Sequence, residues 1–576
     1  MKLLAVLLVI VQLLVQTNAP QSYVAAYSLN TNEAQNPNSS QLLATPGTQE
    51  TTESQFNVFI PALVQSAATQ PPTAAHKRPT ATASPTPSAV PTSINSPTPS
   101  ATVAASPTPS VTPNATPTPS PTPATVPAAP PTGPAYYVSL NGSDPGGCTG
   151  GTQSSPWKTW RKAEACVPAG STVYFMPGTY TGIFSGSGTD INFKGTSGSP
   201  ITIKPAPGAE GQVSFKQPLT LRGQYGVIRD MDLNVNTTST GINIYGNNLV
   251  IQNNKIHNSS QFRCLDVFDR ASNVTLEGNE VYNCATEGLE TTGGTNVTFR
   301  GNTVHDVGYG IKVKGGAQNA VVENNRIFNI KYTAISGNSM GCSSGPCGST
   351  NMTNGSVPVP DRYQAKGVIV RNNVVYSVSQ QAPFMIKGWS DYQIYNNTLF
   401  NNAGWTTFNA TEATWEFFDQ TALDYAATHS HSACTIYKGS KPCVKFPQYS
   451  KYGKIKNNIV YGFNGILELS SGNQTGLGMS SNLYYKSGFS ASTSSAYYVS
   501  GTKYSLAQFM ASGYESGTVI ADPAFLSASA TSPNLRLSSI SPAINKGVTL
   551  PDVEYDLDGV ARPQGTTYDI GAFEYH

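Results

Sequence analysis

The chain has 576 residues, 11% of them charged, with 34 basic against 32 acidic side chains and a net charge of +2. So weak a field excludes a polyanion-coating protein, and no nucleic-acid partner is expected. Gly 52 and Pro 42 exclude an all-α bundle or coiled coil, because both residues cost most in helix interiors.

Residues 1–26 read as a signal peptide. Lys2 is followed by an apolar run to Val15 broken only by Gln12, too short for the ~20 residues of a standard spanning helix. Val24-Ala25-Ala26 is the expected cleavage site, and no cysteine follows to carry a lipid. No membrane span is expected after cleavage; retention of the segment as an anchor is the alternative. Residues 27–134 read as a disordered spacer. Seventeen prolines fall in 79–134, where no residue is charged and Ser-Pro-Thr-Pro-Ser occurs three times. Such a chain favours polyproline II over a packed core. The expected protein is secreted and extracellular, with the stalk suggesting association with a cell surface.

From residue 135 the material changes. Short β-rich runs end in a polar pair: LVIQNN (249–254), VTLEGN (274–279), VTFRGN (297–302), AVVENN (320–325), VIVRNN (368–373), YQIYNN (392–397) and GKIKNN (453–458). The intervals between final asparagines are 25, 23, 23, 48, 24 and 61. Forty-eight is two periods or one period plus an insertion, and 61 contains a longer insertion. A period of ~23 with strand patterns and no helix pattern predicts an all-β parallel solenoid over 135–518. The final asparagines are expected at left-handed turns, hydrogen-bonded up the stack. A cap precedes the repeats, two loops (340–364 and 411–451) interrupt them, and residues 519–576 form a C-terminal cap. His257 and His305 occupy equivalent repeat positions and read as packing residues. The eight cysteines pair by proximity: Cys148 with Cys166, Cys264 with Cys284, Cys342 with Cys347, and Cys434 with Cys443, the default for a secreted chain.

Alternation along the strand before each run separates inward from outward side chains. Leu265, Leu289 and Ile311 point inward, so Asp266, Glu290 and Lys312 point outward on three consecutive rungs ~4.8 Å apart, facing solvent. A second outward column holds Tyr245, Phe268, Thr292, Lys314 and Lys387. Glu287, Asp269 and Arg270 add charge nearby. Both insertions leave the same edge and wall this face, and the second carries Trp415 and other rings suited to stacking on sugars. The structural alternative is a cross-strand ion pair worth ~0.2–1 kcal/mol.

The chain resembles the right-handed parallel β-helix proteins of the pectate-lyase-like superfamily. The repeats carry the resemblance, together with Ser154-Ser155-Pro156-Trp157-Lys158-Thr159 and Val173 through Tyr180 near the start. Gly195 through Ile203 is similar to a segment of family 9 polysaccharide lyases, and Ser541 through Gly547 with Asp569 through Tyr575 resembles a choice-of-anchor Q end. The resemblance implies a polysaccharide partner and β-elimination on a uronic acid by a lysine base beside calcium. Lys312 or Lys314 is then the base, and Asp266, Glu287 and Glu290 are Ca²⁺ ligands. Arg263, Arg270, Tyr309, Lys387 and Trp415 are the candidate substrate-binding residues, on a protein expected to be a monomer. The dense aspartate cluster of family 9 lyases is not evident. A glycoside hydrolase using Asp266 and Glu290, and a non-catalytic carbohydrate-binding solenoid, are the alternatives.

Overall fold

The computed structural model describes residues 133–182, 190–337, 363–404, 406–410, 413–417, 433–435, 442–470, 475–550 and 552–576. The expected signal peptide, nearly all of the spacer and most of both insertions lie outside the described residues. Cys342 and Cys347 lie outside the described residues, as do the side chains of Cys434 and Cys443; the disulfides among the described residues are Cys148–Cys166 and Cys264–Cys284.

Strands stack in three parallel faces. One runs from Ala135–Val138 through Thr172–Phe175, Asn247–Gln252 and Thr295–Arg300 to Gly478–Ser480. The second passes through Lys255–Ser259 and the first halves of Glu280–Thr292 and Thr303–Lys314. The third passes through Leu265–Phe268 and the second halves of those long strands, then Phe384–Met385, Phe408–Ala410 and Leu467–Leu469. Each turn of chain contributes one strand to each face, so side chains at equivalent positions form columns along the coil.

The core is a column of stacked side chains. Phe175, Phe193, Phe215, Trp157 and Trp160 fill the N-terminal end, and aliphatic residues such as Leu265, Leu289 and Ile311 fill the middle, all essentially without solvent contact. A solenoid buries its end rungs only if capped. Helix α1 (Trp160–Cys166), N-capped by the Thr159 hydroxyl, closes the start. Helix α2 (Leu506–Ala511), opened by a Ser505/Gln508 capping box, lays Phe509 on Tyr497 at 4.2 Å. Neither helix follows from the repeat pattern, being short and outside it.

The final asparagines form a continuous buried ladder. Asn254, Asn279, Asn302, Asn325, Asn373, Asn397 and Asn458 each donate their backbone N–H and side-chain amide to the Oδ1 of the next ladder asparagine at 2.9–3.1 Å. Asn325 bonds directly to Asn373, so the interval of 48 is one turn plus an insertion. The ladder extends to Asn482, which lacks the usual preceding Asn or Gly. The left-handed geometry belongs to the residue before: Asn253, Asn324, Asn372, Asn396 and Asn457 have φ of 50–56°. That corrects the expected placement. The buried asparagine spends its amide on the ladder, while its neighbour makes the corner, as asparagine or glycine tolerates.

Some corner asparagines also hold the C-terminal tail. Asn396 donates to the carbonyls of Asp569 and Gly571, and Asn457 to that of Val548. The buried Arg562 guanidinium pairs with Glu574 at 2.6 Å and reaches the Gly571 carbonyl. His257, Tyr282, His305, Phe328 and Tyr376 stack face to face at 4.8–5.3 Å, which makes the two histidines packing residues.

Candidate active site

The third face carries the expected charges in register. Asp266 lies opposite Glu290, Glu290 opposite Lys312, and Lys312 opposite Ser336. Outward residues form a grid of rungs: Arg263, Asp266 and Phe268; Glu287, Glu290 and Thr292; Tyr309, Lys312 and Lys314; Thr333 and Ser336. The periodicity of two directs these side chains away from the apolar core.

They do not stand free in solvent, which corrects the expected exposure. Asp266 and Glu290 have no exposed surface, and Lys312 keeps 5%. The physical reason is lateral pairing: each charge is covered by an oppositely charged neighbour. One guanidinium nitrogen of Arg263 donates to Asp266 and to Glu290, both at 2.7 Å. Lys314 reaches Glu290 at 2.8 Å. The Thr292 hydroxyl lies 3.2 Å from Asp266 and 3.3 Å from Glu290. Lys312 donates to Glu287 at 2.5 Å and lies 4.4 Å from the Tyr309 ring centroid. Tyr309 stacks on Tyr332. Around Asp266 and Glu290, which are sealed, what water meets is cationic, with 23% of the Arg263 side chain and 12% of Lys314 exposed, while Glu287 one column over keeps 11%.

The Cys264–Cys284 disulfide joins the segments leading into the first two rungs and so fixes the backbone beside Arg263. Cys148–Cys166 ties α1 to the loop before it. Backbone register places Cys434 opposite Cys443 in a separate antiparallel sheet of Ala413–Phe417, Ala433–Thr435 and Pro442–Gln448.

The buried acids titrate in opposite directions. Burial pushes Glu287 up, but the charge and hydrogen bond of Lys312 outweigh it and bring the carboxyl from 4.5 down to about 2. A lowered folded value means stability present above the unfolded value and lost as pH falls toward 2, worth about 3 kcal/mol. Burial first, and Glu290 second, lift Asp266 from 3.8 to about 7 against Arg263, Lys314 and Thr292. A raised folded value means stability that declines as pH rises from about 4 through 7. Glu287→Gln is expected to flatten the acid limb of the stability profile and Asp266→Asn the decline toward neutrality, read as denaturant midpoints against pH.

Residues 221–347 match the family described as the right handed beta helix region. The fold is a right-handed parallel β-helix. No curated protein matches the sequence. Solved structures similar to this β-helix include the pectate lyase Pel9A, at 14% identity over 77% of this chain and 97% of that one, with a TM-score of 0.46. The XylC complex with xylose matches at 10% identity over 77% and 98%, TM-score 0.41. The A-module of the mannuronan C-5 epimerase AlgE6 from Azotobacter vinelandii matches at 14% over 61% and 91%, TM-score 0.36. Likeness at this level is silent on substrate and chemistry.

The remaining expected site residues are dispersed on the β-helix. Arg270 is exposed at the left-handed corner after Phe268, next to Asp269. Lys387 lies farther along the face and acts electrostatically on Glu468, which accepts from Asn409 at 2.7 Å. The Trp415 side chain lies outside the described residues, as do His429 and His431. Thr292, which contacts both carboxylates, is visible in the second outward column but carries no charge to mark it. Ser336 aligns beside Lys312; its buried hydroxyl has no partner.

The acids do not make a calcium cage. Calcium takes six to eight oxygen ligands. Here Arg263 and Lys314 already lie against Asp266 and Glu290, and Glu287 is turned to Lys312. Among the described residues no group of three or more His, Cys, Asp or Glu side chains is arranged to hold a metal ion.

Proposed function

We propose that the protein acts on a polysaccharide and that this face cleaves a uronic-acid-containing chain by β-elimination. The observation that carries the reading is the order of exposure in one cluster: Asp266 and Glu290 sealed, Arg263 and Lys314 paired to them and open to solvent. Such a surface attracts an anionic sugar and holds its cations in place without being neutralised by free ions.

In the proposed reaction the uronate carboxylate rests on Arg263 and Lys314. Neutralising it makes the C5 proton acidic enough to remove. Lys312 leaves its ion pair with Glu287, gives its ammonium proton to water as the sugar binds and, as the neutral amine, takes the C5 proton; that proton later returns through solvent to the Tyr309 oxygen. The C5–H electron pair forms the C4=C5 double bond as the C4–O bond breaks. The departing oxygen takes a proton from Tyr309, whose phenol is raised by burial and by Glu287 and so stays protonated. Each turnover thus adds no water and leaves one unsaturated uronide. Lys314 takes the base role if the sugar lies one column over.

A hydrolase is the second reading. Asp266 and Glu290 contact the same nitrogen at 2.7 Å each, so those oxygens lie at most 5.4 Å apart, compatible with the ~5–5.5 Å of a retaining carboxylate pair. Asp266, lifted to about 7, would be the acid. The absence of exposed surface on either side chain favours the lyase.

Two disulfides among the described residues fit an oxidising, extracellular setting. No described helix is long and apolar enough to cross a membrane. Digestion of homopolyuronates, mixed uronate glycans and neutral glucans tests the function. Unsaturated-uronide absorbance is expected on a uronate substrate. Reducing ends without absorbance favour the hydrolase, and binding without cleavage a carbohydrate-binding solenoid.

A further inference from the structure

We propose that Arg263 occupies the position a calcium ion would hold in this face, so that the site carries a built-in cation and works without metal. The inference rests on the lyase reading for the identity of the ligand, a uronate carboxylate; the placement of the cation is independent of it.

Four observations converge. A single Arg263 nitrogen bridges Asp266 and Glu290 at 2.7 Å each, the place between two carboxylates that a divalent ion would take. The Thr292 hydroxyl donates to the same two carboxylates. Lys314 adds a second cation on the other oxygen of Glu290, the one Thr292 also contacts. Arg263 Nε is buried without an acceptor, while 23% of the side chain as a whole remains exposed. A planar guanidinium matches a carboxylate in two-point geometry, which a sugar acid can use from the open side.

The arrangement also explains why the acids are where they are. Sealed carboxylates hold the guanidinium in one orientation, and the Cys264–Cys284 disulfide anchors the adjoining backbone. Arg263 and Lys314 together carry the charge of one divalent ion, and they cannot be washed out. Placing Ca²⁺ among Asp266, Glu290 and Thr292 would set it directly against both of them.

The test uses melting and calcium titration of the full chain, with no substrate needed. The wild-type Tm is expected to be the same in chelator and in millimolar CaCl2. In Arg263→Ala/Lys314→Ala the bared carboxylates gain calcium binding, and CaCl2 raises Tm by several degrees. Adding Glu290→Gln to that variant abolishes the rise. A wild-type calcium stabilisation that Asp266→Asn/Glu290→Gln removes overturns the proposal, as does a folded double variant indifferent to calcium. Should the double variant not fold, calorimetric titration of the wild type decides: no heat at this site is expected, and binding lost in Asp266→Asn/Glu290→Gln overturns it. Where uronate cleavage is measurable, the rate is expected to be unchanged by chelator; loss restored by Ca²⁺ overturns the proposal. Absence of cleavage on every uronate would remove the lyase reading and leave the calcium result standing.

Discussion

Lys312→Ala is expected to lower the elimination rate about 10³-fold, the scale of a lost general base. The fold is also expected to lose about 3 kcal/mol, because Glu287, only 11% exposed as a side chain, would keep a buried charge without its partner. These effects separate in Lys312→Met/Glu287→Gln. Removing both charges with similar volume restores most of the stability, since a buried pair repays little beyond its own desolvation. It leaves the base missing, so activity stays lost. Kinetics and denaturant midpoints of the two variants check both statements. A variant that recovers activity along with stability would move the base to Lys314.

Asn302→Ala is expected to destabilise the coil by about 4 kcal/mol while leaving the charges of the face untouched. The Asn302 Oδ1 accepts from the backbone N–H and the amide of Asn279, and its Nδ2 donates to the Leu276 carbonyl. Asn302 is 1% exposed, so these groups cannot turn to water. Each stranded buried group costs about 1–3 kcal/mol. The outer ladder offers the contrast. Asn296 donates to Asn273 at 2.9 Å but is exposed, with φ of 54°. Asn296→Gly loses two exposed bonds, with Asn273 and Asn319, and relieves the left-handed corner, so a change below about 1 kcal/mol is expected. Urea midpoints of the two variants make the comparison.

The parts of this structure legible in the sequence are those fixed by period. A turn of about 23 residues aligns the asparagines, and the strand period of two decides which side of Leu265, Leu289 and Ile311 their neighbours take. The register of Asp266, Glu290 and Lys312 follows from those two facts. What does not follow is how the charges are covered. Arg263 lies outside the strand and folds back across two rungs, and Glu287 lies at a corner where alternation breaks. A column pattern places side chains on a face but does not say which neighbours lean over them. The tail is illegible for another reason. Ala572 donates to the Thr398 hydroxyl across 174 residues, a contact that no local pattern encodes.

The most direct test of elimination at this face is digestion of the cleaved polyuronate in heavy-oxygen water, with mass analysis of the products. Elimination breaks the C4–O bond without consuming water. The account predicts products lighter by one water than hydrolytic fragments, free of solvent oxygen at the cleaved bond, and formed by the wild type but not by Lys312→Ala. Products carrying one heavy oxygen per cleavage would contradict it and assign the face to Asp266 and Glu290 as a hydrolytic pair.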